Sequence, residues 1–179
     1  MRLIWKASAA VVFVVASVAG WNHVSVNGPV AKRLAQTPAN ERLNVLAYHQ
    51  YAVLPSVLVL DLRKVGEDAS AADSIRVLLQ SAEALKDKKF ERVVLAHRGK
   101  QKLQLEGDYF KKIGEEFEFQ NPVYTMRTLP ENVQHLDGTP AYGTWTGGVL
   151  GVLGKQMEDL MSFSKDWYLQ DLIDAAAKK

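Results

Sequence analysis

Residues 57–97 read VLVLDLRKVGEDASAADSIRVLLQSAEALKDKKFERVVLAH, and this stretch decides the fold class. Val57 to Leu62 is an aliphatic run interrupted only by Asp61, the pattern of a strand buried on both faces. Ser70 with Asp73 three residues later forms a capping signal, behind which Ile75, Leu78, Leu79, Ala82 and Leu85 recur at helical spacing. Arg92 to His97 reads as a second buried strand. Strand, crossover helix and strand together imply a parallel pair with the helix packed on one face.

Outward from this unit, Arg98, Gly99 and Lys100 form a tight turn into a half-buried antiparallel strand that alternates around Leu103 and Leu105. Gly107 and Asp108 open a short helix whose inner face is Phe110, Ile113 and Phe117. Asn121 and Pro122 read as its break, and Val123 to Thr128 as a fourth strand. Upstream, Thr37 before Pro38 reads as a helix start, with Leu43, Leu46, Ala47 and Tyr51 as the stripe of a helix ending before Pro55. The expected class is α/β (α+β): a βαββαβ order, either ferredoxin-like or a small open α/β sheet, with an N-terminal helix and C-terminal helices in a single domain.

Residues 129–145, LPENVQHLDGTPAYGTW, contain two prolines and two glycines and read as an irregular surface excursion, where function often resides. GGVLGVLG, residues 147–154, then leads into a C-terminal helical stretch expected to bend or break near Ser162 to Ser164.

The chain begins MRLIWKASAAVVFVVASVAG, with Arg2 and Lys6 ahead of an apolar run from Ala7 to Ala19 and small residues at its end. This is the three-part pattern of a secretory signal peptide, and the run is shorter than the roughly 20 residues a bilayer span needs. Residues 1–20 are therefore read as a signal peptide, with an uncleaved membrane anchor as the alternative; residues 21–36 as a linker; and residues 37–179 as one α/β domain. The expected location is outside the cytoplasm of a bacterium: the periplasm first, with secretion or an inner-membrane anchor as alternatives.

Cysteine is absent, which excludes disulfides, thiolate nucleophiles and Cys-based zinc sites. Beyond residue 20 the charges balance, 20 Lys plus Arg (22 less Arg2 and Lys6) against 20 Asp plus Glu, so no basic face for nucleic acid is expected. Lys86, Lys88 and Lys89, interleaved with Asp87 and followed by Glu91, read as a solvated helix end.

Two groups of candidate site residues follow. Asp61, Arg63, His97 and Arg98 stand at the ends of the two parallel strands, the edge where open α/β sheets bind ligands. There His97 would be a general base oriented by Asp61, with the arginines holding an anionic substrate. Tyr142, Trp145, Gly147 and Gly151 form the second group: aromatics that can anchor a partner or close the core, and glycines that allow close helix packing, inside the protein or against another molecule. His23, His49 and His135 lack a second His at metal-ligand spacing, so no metal and no cofactor is expected. The sequence thus points to an exported, non-enzymatic binding or assembly module. Its partner would be a protein or small-molecule ligand, with membrane contact only if the N-terminal segment is retained. The alternative is a small enzyme using the strand-end Asp, His and Arg residues on an anionic substrate.

Overall fold

A computed structural model describes residues 13–66, 68–146 and 148–177. Residues 1–12, most of the expected signal peptide, and the candidate Gly147 lie outside the described residues. Residues 13–34 are helical throughout, with a π-helical stretch His23–Asn27 and an α-helical segment Gly28–Leu34 (α1). A 3-10 turn, Pro38–Arg42, leads into strand β1 (Leu43–Gln50), followed by β2 (Leu54–Val65), helix α2 (Ala71–Ala84), β3 (Arg92–His97) and β4 (Lys100–Glu106). Helices α3 (Gly107–Glu115) and α4 (Pro122–Thr128), the two-residue strand β5 (Val133–Gln134), and the C-terminal helices α5 (Val149–Ser164) and α6 (Gln170–Ala176) complete the chain.

The five strands form one sheet in the order β1-β2-β3-β4-β5. Only β2 and β3 are parallel, running in register from Val57 opposite Arg92 to Leu62 opposite His97. They are direct neighbours, so the sheet is the small open α/β arrangement; a split βαβ unit would insert another strand between the parallel pair. Ser70 and Asp73 form a reciprocal capping box at the start of α2. One face of the sheet carries Leu58, Leu60, Leu62, Val93, Leu95, Leu103 and Leu105 into the main core with α1, α2, α3 and the C-terminal helices. The other face buries a smaller cluster, Val57, Val59, Val94 and Ala96, with Tyr48 against it.

Three local expectations are corrected. The helix expected after Thr37 stops at Arg42, and Leu43–Gln50 is an edge strand. Its apolar residues satisfy both periods, but Leu43 and Ala47 face the main core while Leu46 stays exposed, and pairing with β2 along the whole segment outweighs helical spacing. The strand expected at Val123–Thr128 is helix α4: Asn121 accepts the Val123 N–H at 2.9 Å and Pro122 occupies the first turn, so the pair read as a break is a helix start. Residues 21–36, expected as a linker, are largely helical and bury Val26 and Val30 in the core. In the C-terminal helical stretch the α-helical pattern gives way to a π-helical stretch, Lys165–Leu169, directly after Ser164, next to the segment where a bend or break was expected.

Both sheet edges are blunted. The free edge of β1 is covered by the N-terminal helix, whose Asn27 and Asn22 side chains accept the N–H groups of Ala47 and His49 at 3.1 and 2.8 Å. The opposite edge is only two residues long and is bridged to Pro140.

Candidate functional site

Side chains alternate along a strand, so Asp61, in step with Val57 and Val59, lies on the small-cluster face, whereas His97, in step with Val93 and Leu95, lies on the main-core face. The sheet separates the two residues expected to form a dyad. Asp61 is fully buried and is held by the Gly99 N–H at 3.0 Å and by the Arg63 guanidinium at 2.8 Å. It clamps the β3–β4 turn, where Arg98 (φ 50°) and Gly99 (φ 83°) are both left-handed. Arg98 itself is exposed.

His97 has a partner that sequence reasoning missed. Its Nδ1 lies 2.8 Å from Asp171 Oδ2, and the Lys102 ammonium donates to Asp171 Oδ1 at 2.8 Å. The Lys102 hydrogen bond, then the one from His97, hold the Asp171 carboxyl down at about 2. His97 is fully buried, its Nε2 has no partner, and the Tyr168 ring stands edge-on 6.4 Å away. This group fastens α6 to β3 and β4. No sequence signal linked Asp171 to His97, because 74 residues separate them.

Asp73 is also held at about 2, chiefly by the Ser70 N–H. Both carboxyls titrate below their ordinary value in the fold, so the stability they contribute is complete above pH ~5 and is lost as pH falls from about 4 to 2. After solvent screening each is worth on the order of 1 kcal/mol. Urea unfolding at pH 7 and pH 2.5 is expected to show this loss, and Asp171→Asn to reduce its size; a pH-independent midpoint would refute the assignment.

On the second candidate surface, Tyr142 is half-buried against the core and donates to Asp166 at 2.8 Å. Trp145 is exposed, donating its indole N–H to Asp159 at 2.6 Å, with the Lys155 ammonium 5.6 Å from its ring centre. Among the described residues, nothing lies within 4 Å of where a Cβ would stand on Gly148, Gly151 or Gly154. Close packing inside the protein, the first of the roles expected for these glycines, is therefore not seen at any of the three among the described residues. Gly154 shares an outward helix face with Met157 and Met161, the latter 68% exposed.

Two other features bear on chemistry. A polar cleft of about 620 Å³ at the start of β3 and the end of β4 is lined by residues including Lys89, Arg92, Gln104, Glu106 and Asp108. Near the β1–β2 turn, His49 is stacked on Trp21 with ring centres 4.4 Å apart, and its Nε2 lies 3.1 Å from the Ser25 hydroxyl. Burial, and then the charge of Lys88, push the His49 imidazole down. Among the described residues no three His, Asp or Glu side chains come together as metal ligands.

The chain matches no family model, no curated protein and no solved structure.

Proposed function

We propose that this protein is an exported, non-enzymatic binding module that receives an apolar helix of a partner protein on the outward face of α5. The observation that carries this reading is the open, glycine-lined face itself: among the described residues nothing packs within 4 Å of where a side chain would stand on Gly151 or Gly154, and Met157 and Met161 are exposed beside them. Glycine in a helix interior costs about 0.5–1 kcal/mol relative to alanine, and here no internal packing offsets that cost. A second helix could approach such a face closely, while the flexible methionines adapt to its side chains. The N-terminal apolar run supports export. The enzyme alternative lacks its dyad, since Asp61 and His97 stand on opposite faces of the sheet.

Gly151→Ala and Gly154→Ala are each expected to raise stability by about 0.5–1 kcal/mol, measured by thermal melting. A loss instead would mean that the face is already packed. The binding reading itself is tested by a photoreactive side chain at Met161 in the host cell. A discrete crosslinked partner is expected, and it should disappear when Gly151 and Gly154 are both replaced by Leu. No crosslink, or one indifferent to those replacements, would sink the reading. The denatured mass of the same material reports whether the N-terminal segment has been removed.

A further inference from the structure

The end of the molecule carrying the β1–β2 turn is apolar and exposed. No Asp, Glu, Lys or Arg occurs between Arg42 and Asp61, and at the turn Tyr51 is 79% and Val53 61% exposed, with Leu54 also open to solvent. Tyr51 and Ala52 have φ of 54° and 65°, two successive left-handed residues as in a type I′ turn, for which Asn and Gly are the unstrained choices. A large aromatic side chain thus points outward where the backbone favours a small polar one.

The N-terminal helix runs alongside this turn and past it. Asn27 reaches Ala47, whereas Asn22 reaches His49 and donates to the Ala52 carbonyl at 2.7 Å. Followed backwards from Asn27 to Asn22, the helix therefore travels towards the turn. Residues 21 back to 13 continue about 13 Å beyond Asn22 at 1.5 Å per residue. Along this extension Phe13, Val14, Val15 and Trp21 are exposed. An apolar groove of about 590 Å³ separates the helix from β1, lined by Val14, Val15, Val18, Leu46 and Tyr48 among others.

The connection from α2 to β3 lies at the same end, since the Glu91 N–H donates to the Ser56 carbonyl at 2.8 Å. Its sequence from residue 86 to 92, KDKKFER, sets four cations against two carboxylates. Lys88 and Lys89 are exposed and make no ion pair among the described residues. Glu106 and Asp108 line the neighbouring cleft.

We propose that this end of the molecule docks onto the surface of an anionic phospholipid bilayer, with Tyr51, Val53 and Leu54 in the interfacial layer and Lys86, Lys88 and Lys89 against the headgroups. Three physical features favour a bilayer over a protein groove. The tip carries no charge to desolvate, its aromatic residues Tyr51 and Trp21 are of the type that settles at the membrane–water interface, and the lysines of the neighbouring α2–β3 connection attract anionic lipid. No helix among the described residues is long and apolar enough to cross a membrane, and surface docking requires none. The proposal does not depend on the partner surface of α5.

Because the chain has no cysteine, a single Cys can be labelled cleanly. The full chain would carry a nitrobenzoxadiazole label at Val53→Cys or, at the opposite end of the sheet, at Lys100→Cys. It would be mixed with phosphatidylglycerol–phosphatidylcholine vesicles containing a headgroup-region spin-labelled lipid. Fluorescence at position 53 is expected to fall by more than half, with little change at position 100. Replacing Lys86, Lys88 and Lys89 by Gln is expected to halve the quenching at least. No quenching at 53, equal quenching at both positions, or quenching indifferent to the lysines would overturn the proposal. Ala52→Gly, which relieves the left-handed strain, is expected to raise the melting temperature and leave position 53 quenched, separating folding from docking.

Discussion

Alanine at position 107 is expected to destabilise the protein by about 3 kcal/mol or more, or to prevent folding. Gly107 begins α3 directly from β4, and its N–H donates to the Glu91 carbonyl at 2.9 Å. A Cβ there would fall far inside contact distance of the Phe90 carbonyl. The backbone on both sides is pinned, because Glu106 pairs with Arg92 in the β3–β4 ladder. Gly114 is similar: its Cβ would strike the Ala82 carbonyl, where α3 crosses α2. A control separates this cause from side-chain crowding. Ala82→Gly should not rescue Gly114→Ala, because the obstruction is backbone. Urea unfolding with an unchanged midpoint for Gly107→Ala would show that the close approach does not exist.

The second large effect is expected at Trp167. Its ring is fully buried between Phe163 and Tyr168, with the Phe163 ring centre 5.5 Å away, and its indole N–H donates to the Ala96 carbonyl at 3.1 Å. Trp167→Ala removes the largest fully buried side chain among the described residues and leaves that acceptor unpaired, an expected loss of about 3–5 kcal/mol. Trp167→Phe keeps much of the volume and loses the hydrogen bond, so about 1–2 kcal/mol is expected. The difference is readable in the urea midpoint. Equal losses for both variants would mean that the indole hydrogen bond, not packing, dominates.

The candidate site was only partly legible. The strand-end reading put Asp61 and His97 at the same edge of two parallel strands; in the fold those strands are direct neighbours, paired with Asp61 opposite Ala96 and Leu62 opposite His97. That single-residue offset sends the two side chains to opposite faces, and register is not written in either strand's own composition. Asp171 went unnoticed for a related reason. It sits on an amphipathic helix that looks solvated in isolation, and only the docking of α6 brings it to His97 and Lys102.

The sequence by itself determined the elements that carry redundant local signals. The capping box at Ser70 and Asp73, the helical stripe behind it and the two aliphatic runs agree with one another, so α2 and β3 and the centre of β2, which extends three residues further at each end, could be placed. Tertiary structure decided every segment whose local signals conflict. Leu43–Gln50 has apolar residues at both helical and strand spacings, and the free edge of β2 made it a strand. Asn121 with Pro122 can end one helix or begin another, and here they begin α4. Gly148, Gly151 and Gly154 could have met a neighbouring backbone but among the described residues meet none, which depends on what the fold leaves uncovered. Local propensity amounts to tenths of a kcal/mol per residue, whereas edge pairing and burial contribute one or more, so where the two disagree the distant contact wins.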